Sequence, residues 1–265
     1  MQVTLMQGIL LAVAAMIIGV DFWLEAFFIF NPLIVSTVAG LILGDLRLGL
    51  AAGAITALAF AGLTPAGGTQ PPNPPLAAFM TVVISHTTGV EPAMALGLAL
   101  PFSFLMQYII LMFYSGFSFF MPQADKAAEE ADVAALGRLN IMLTAIVAIT
   151  YGVVVFLSAY AAQDLIASLV DMLPDWLTHG LEVAGGMLPA IGFGLLLNVM
   201  MKVKYIPYLL VGFLMANYIE MANLLPVALV GTAFGLYEFF SAKERSDAIN
   251  AASKKIAQGG GGRGI

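Results

Sequence analysis

The sequence of 265 residues contains no cysteine, which excludes disulfides, thiolate catalysis and iron–sulfur ligation. It holds only two histidines, His86 and His179, too few for a histidine-built metal site, so no metal is expected. There is no G-x-S-x-G elbow, no H-E-x-x-H pair and no phosphate loop ending in G-K-S/T, so hydrolase, metalloprotease and nucleotide readings all fail. No cofactor is implied, and the chain does not read as an enzyme. Charge is scarce as well. Charged residues make up 10% of the chain, against about 25% in a soluble domain. The net charge of -6 and the want of a basic stripe exclude nucleic acid as a partner.

What fills the sequence instead is apolar. Hydrophobic residues make up 61%, and long stretches carry no formal charge: Met1–Val20, Ala26–Gly44, Leu48–Val90, Pro92–Ala124 and Leu139–Gln163. A helix needs about 20 apolar residues to cross a bilayer core of about 30 Å. The first stretch has neither a basic n-region nor a cleavage site, and reads as a retained membrane segment. Candidate segments fall at Leu5–Ile18, Pro32–Leu43, Leu48–Leu63, Pro75–Thr88, Pro92–Phe119, Leu139–Ala161, Val183–Met201, Pro207–Ile219 and Leu224–Phe240. Several are too short to span alone, which points to half-helices and re-entrant hairpins shielded by neighbouring protein. The fold class expected is therefore an all-α polytopic membrane protein with broken helices.

Five of the ten basic residues, Lys243, Arg245, Lys254, Lys255 and Arg263, follow the last apolar segment. The positive-inside rule puts this end in the cytoplasm. An integral membrane domain over 1–242 and a cytoplasmic, partly flexible tail over 243–265 are expected. "DLIASLVDMLPDWL" (Asp164–Leu177) reads as an amphipathic interfacial stretch with a Trp at the headgroups.

Within the uncharged run Leu48–Val90 lies "GGTQPPNPP", Gly67 to Pro75. Its prolines lack N–H donors and stop a helix, while Gly67 and Gly68 open backbone conformations closed to other residues. Extended backbone at membrane depth is tolerated only inside protein or along an aqueous cavity. Thr69, Gln70 and Asn73 add uncharged donors and acceptors, the chemistry a neutral polyol needs. A Pro-rich external loop with no ligand is the competing account. "EVAGGMLPAIG" in the second half repeats a Gly pair near a proline, and paired interruptions point to a transporter built from repeats. "GLILGDLRLGLAAG" places Gly40, Gly44, Gly49 and Gly53 for close helix approach. Asp21 and Glu25, four apart, would share a helix face, and Glu220 sits in "ANYIEMANLLP"; these are carboxylates to weigh as functional or interfacial. His179 stands just before the second Gly-rich stretch.

At these residues the chain resembles the IIC membrane components of phosphotransferase-system sugar permeases, in the mannose–fructose–sorbose group. Gly40, Gly44, Asp45 and Gly49 match the family signature G-x3-G-[D/N/H]-x3-G. "GVDFWLEAFFIFNPLIV", "AFAGLTPAGGTQPPNPP", "FYSGFSFFMPQADKAAEEAD", "LPDWLTHGLEVAGGMLPAIGFGLLL" and "KYIPYLLVGF" are similar to the N-acetylgalactosamine/galactosamine branch. The resemblance implies a group-translocation permease in the bacterial inner membrane. It would work with a IID membrane partner and a cytoplasmic IIB phosphocarrier charged by IIA. Inverted repeats, an elevator-like sugar-carrying unit and a trimer of IIC–IID pairs are implied too. The implied substrate is an amino sugar, with Gly67, Gly68, Thr69, Gln70 and Asn73 as its site and Glu25 and His179 as secondary contacts. One departure stands out: after Gly53 the pattern expects a second Gly and then Glu or Gln, where this chain has Ala54 and Ala57. A carrier driven by an ion gradient, coupled through Asp21, Glu25 or Glu220, and a non-transporting scaffold are the alternative functions.

Overall fold

The computed structural model describes residues 2–63, 71–219 and 225–259, the side chains of 251–259 excepted. Every regular element among the described residues is helical. The chain divides after Val199 into two units, Met1–Val199 and Met200–Ile265. Among the described residues five helical stretches are long and apolar enough to cross a membrane: Leu5–Leu24, Pro92–Glu129, Val133–Ala161, Asp175–Met200 and Leu225–Asn250.

In the first unit the short helices come early. Helix α1 spans Leu5–Leu24, and α2 (Pro32–Leu43), α3 (Leu46–Phe60) and α4 (Pro74–Thr88) follow. At 1.5 Å per residue, α2 is about 18 Å long and α3 and α4 about 22 Å each, all short of a core of about 30 Å. They are half-helices, as the apolar pattern predicts.

The joint between α2 and α3 shows why "GD" stands there. Gly44 ends α2 with φ +82°, a left-handed value natural to glycine. The Asp45 N–H returns to the Gly40 carbonyl at 2.8 Å, and the Asp45 carboxylate accepts the Leu48 N–H at 2.9 Å. One Gly and one Asp thus satisfy the end of one helix and the start of the next. The hairpin then closes on glycine: a Cβ added at Gly49 would lie 2.6 Å from the Ser36 carbonyl oxygen and 2.9 Å from Gly40 Cα. Attraction between helices in lipid rests on such close packing, because tails are as apolar as side chains.

Helix α4 is the inner element. Every residue from Pro75 to Ser85 is buried, so it is apolar on all sides rather than on one stripe. Its hydroxyls bond to carbonyls: Thr81 to Ala77 at 2.7 Å and Ser85 to Val90 at 2.6 Å, while Ser36 of α2 donates to Ala78 at 3.3 Å. Helix α5 (Pro92–Gly116) packs along it, continues through a 3₁₀ turn (Phe117–Phe120) and becomes α6 (Met121–Glu129). A turn with Ala131 at φ +53° leads to Asp132, whose carboxylate caps α7 (Val133–Phe156) at Ala135 N–H, 2.9 Å. The polar insert is therefore a helical hairpin. It extends two spans beyond their apolar limits, because its alanines favour helix.

Helices α1 and α7 run antiparallel and meet through glycines. A Cβ at Gly8 would stand 2.9 Å from Tyr160 Cβ, one at Gly19 2.5 Å from Tyr151 Cγ, and one at Gly152 2.5 Å from Met16 Cε. Helix α7 passes through a π turn (Leu157–Ala161) into α8 (Gln163–Asp171). Only Ile166 of α8 is buried, in keeping with an amphipathic interfacial helix, and Trp176 beyond it is 74% exposed. Helix α9 (Asp175–Met200) corrects one expectation. It runs unbroken through Gly185, Gly186 and Pro189, so the second Gly-rich stretch is a packing face and not an interruption.

The second unit holds α10 (Ile206–Tyr218) and α11 (Leu225–Gly259). Tyr208 and Phe234 rings stand 5.5 Å apart between them, and Glu238 faces Lys204 at 3.8 Å and Arg245 at 3.6 Å. Helix α11 continues past residue 242, so the polar end is helical where it begins.

Gly49→Ala is expected to destabilise the hairpin by about 1–3 kcal/mol, because backbone atoms occupy the space. Gly116→Ala, where an added Cβ meets nothing within 4 Å, should leave stability unchanged or slightly raised. Thermal midpoints of the two variants in detergent check this, and equal midpoints would show that the glycine contact is not limiting.

Candidate functional site

Helix α3 ends at Phe60 and α4 begins at Pro74, and the uncharged break lies between. Of the residues singled out there, Gly67, Gly68, Thr69 and Gln70 lie outside the described residues. Pro71 and Pro72 are half-buried, and Asn73 is fully buried.

Asn73 does several jobs at once. Its Oδ1 accepts the Leu76 N–H at 2.9 Å, capping α4 and satisfying one of the donors a helix start leaves open. Its Nδ2 donates to the Tyr151 hydroxyl of α7 at 2.6 Å. Its backbone N–H donates to the Ser103 carbonyl of α5 at 3.2 Å, and the Ser103 hydroxyl donates back to the Asn73 carbonyl at 2.8 Å. Three helices are thus tied at the start of α4. Ser103 and Tyr151 were missed from sequence. A signal did exist: a tyrosine in mid-span needs a partner for its hydroxyl, and Tyr151 lies in the uncharged run Leu139–Gln163.

Helix α9 comes to the other side of the break. A Cβ on Gly192 would collide with the carbonyls of Leu58 and Ala59, and one on Gly62 would lie 2.5 Å from Leu196 N. Leu188 packs on the cluster of Ala59, Phe60, Ala77 and Leu96, beside Leu63. The second Gly-rich stretch is therefore packed against the end of α3, far from it in sequence. The end of α3 and the start of α4 are uncharged: no Asp, Glu, Lys or Arg occurs from Leu48 to Val90. Hydrogen bonding, and not ion pairing, is the chemistry such walls can offer.

The carboxylates go elsewhere. Asp21 is buried and accepts the Phe27 N–H at 2.6 Å and the Phe30 N–H at 3.3 Å, bracing the turn after α1. Glu25 leaves the helix in a left-handed conformation, φ +48°, and is exposed, so it no longer shares the face of Asp21. His179 is an exposed residue of α9 whose Nδ1 stands 3.8 Å from Glu182. Among the described residues neither Glu25 nor His179 hydrogen-bonds or ion-pairs with Asn73, Ser103 or Tyr151. Glu220 lies outside the described residues. No cluster of acidic residues or histidines suited to a metal occurs among the described residues. Of the departures from the family pattern, Ala54 is exposed and Ala57 half-buried, one turn before the end of α3.

The chain matches the family model described as "PTS system sorbose-specific iic component" over residues 5–237. It is 59% identical over 247 residues, 93% of this chain and 92% of the other, to "N-acetylgalactosamine permease IIC component 1" of Escherichia coli (strain K12). A solved structure described as "Structure of membrane protein" superposes with a TM-score of 0.79 at 24% identity, covering 90% of this chain and 96% of that one. A second, "CryoEM Structure of Mannose Transporter ManYZ and Microcin E492 (MceA) complex", gives 0.58 at 23% identity with 90% and 96% covered. At these identities the two structures establish the fold.

Replacing Asn73 by Ala removes the cap and strands the Tyr151 hydroxyl, an expected loss of about 1–3 kcal/mol. Asn73→Ser keeps an oxygen for the Leu76 N–H and should lose about half of that. Thermal melts in detergent compare the two; no difference between Ala and Ser would rule out a capping contribution.

Proposed function

The chain belongs to the sorbose-type family of phosphotransferase-system IIC components, and we propose that it carries N-acetylgalactosamine or galactosamine across the membrane for phosphorylation. As a family member it is a polytopic subunit of a sugar permease. The observation that carries the choice of sugar is the 59% identity to a protein named as an N-acetylgalactosamine permease component. The uncharged walls of the break agree with a neutral or amide-bearing sugar, which is recognised by hydrogen bonds.

In this reading Thr69, Gln70 and Asn73 bond the sugar hydroxyls or acetamido group, and Gly67 and Gly68 let backbone approach it. Asn73 is enclosed in the state described, so its contact with sugar requires the break to open. Glu25 and His179 are exposed and stand as secondary contacts from the surface. The phosphoryl group comes from IIB, charged by IIA, as family membership suggests. The membrane partner is a IID subunit, in a trimer of IIC–IID pairs. An elevator-like unit carries the sugar against a scaffold. In this reading the C-terminal end, with its basic residues, lies on the cytoplasmic side of the bacterial inner membrane, as the positive-inside rule expects.

Vesicles holding this chain with its IID partner, given labelled N-acetylgalactosamine, test the proposal. Sugar phosphate is expected inside only when phospho-IIB is supplied, with little free sugar accumulating. Accumulation of unmodified sugar that collapses with the ion gradient would overturn group translocation in favour of a gradient-driven carrier.

A further inference from the structure

Tyr151 is a feature that neither the Gly-rich motifs nor the family signature uses. It is a phenol only 1% exposed, in the last two turns of α7. Its ring has almost no freedom: Gly19 of α1 leaves no room even for a Cβ beside it, and Phe22 stands 6.3 Å away at 57°. What this fixed ring presents is one hydroxyl, 2.6 Å from Asn73 Nδ2.

The two contacts on the Asn73 side chain together determine which way its amide faces. A backbone N–H can only donate, so the Leu76 N–H at 2.9 Å selects Oδ1. Nδ2 then points to α7, where the Tyr151 oxygen receives it. Ser103 holds the Asn73 backbone separately, so the position of the residue is set from α5 and the direction of its amide from α7. An amide has more hydrogen-bonding positions than these two contacts use. Fixing the group before the ligand arrives removes an ordering cost from binding.

We propose that Tyr151 is a positioning residue for sugar recognition: it orients the Asn73 amide and acts on the sugar only through it. This rests on the reading of Asn73 as a sugar contact. The phenol itself stays in the interface between α1 and α7 and touches no substrate.

The test is a double-mutant cycle in membranes containing the chain with its IID partner and phospho-IIB. Uptake of labelled N-acetylgalactosamine yields KM and the maximal rate per copy for wild type, Tyr151→Phe, Asn73→Ser and the double variant. Tyr151→Phe keeps the ring and its packing, and should raise KM about tenfold with the maximal rate unchanged, the scale of one lost hydrogen bond. In the Asn73→Ser background the same change should add less than about twofold, since its route to the sugar is already cut. An unchanged KM in Tyr151→Phe alone overturns the inference while leaving Asn73 as a sugar contact. Multiplying effects overturn it too, because they place Tyr151 on an independent route. An unchanged KM in Asn73→Ser removes Asn73 from the site and the inference with it. Should Tyr151→Phe fail to accumulate, 4-aminophenylalanine at position 151 keeps a polar ring but offers N–H donors in place of the oxygen that accepts from Asn73. A KM raised as far as in Asn73→Ser supports the proposal, and a wild-type KM overturns it.

Discussion

A helix that begins inside a membrane protein, away from water, has open N–H groups with no solvent to satisfy them. Helix α4 faces this constraint, and the architecture of the first unit follows from how it is met. Asn73 supplies the cap, Pro74 and Pro75 in the first turn have no N–H to satisfy, and Ser103 and Tyr151 bond the capping residue itself. Without those bonds the start of α4 would leave several buried polar groups unpaired, each costing about 1–3 kcal/mol. The all-round burial of α4 is possible because its one polar end is fully engaged.

The family signature takes on a physical meaning in the same terms. Gly44 and Asp45 are a helix stop and a helix start, and Gly40 and Gly49 are where two backbones touch. None of the four needs a sugar to explain it. The signature therefore marks a hairpin that braces α4, while the proposed sugar contacts lie outside it. This also bears on the departures. Ala54 is exposed and meets no packing demand for glycine, whereas Ala57 lies on the last turn leading into the break. Of the two, only Ala57 stands near the proposed site.

Much of this was legible in the sequence. Apolar runs locate the helices, and their shortness marks half-helices; "GD" and "PPNPP" mark ends and starts. What could not be read is where glycine packs and where it bends. Gly185, Gly186 and Pro189 have the same residue types as the first break, yet α9 continues through them, because Gly185 and Gly192 are needed for contact with neighbouring backbone. Composition cannot separate the two uses, since both call for a missing Cβ. The carboxylates show the same limit. Asp21 and Glu25 are equivalent by spacing, but a left-handed residue at 25 ends the helix and sends them to different surroundings. Tyr151 was hidden for another reason: its partner lies 78 residues away, and only the antiparallel packing of α1 and α7 holds its ring beside α4.

An uncharged site also bears on direction. No Lys or Arg occurs from Leu48 to Ala124, the stretch that supplies nearly all of α3 and the whole of the break, α4 and α5, and α9 has none. A neutral sugar is well served by such walls. A sugar phosphate carries close to two negative charges near pH 7, and these walls have no cation to offset the cost of taking that charge out of water. Phosphorylation on the cytoplasmic side would therefore turn a ligand the break can hold into one it must reject. The same absence of charge that first excluded most functions from the sequence then supplies a reason for one-way transport. In the proposed reading the chemical step, performed by a partner, sets the direction, and the permease needs no ion gradient to do so.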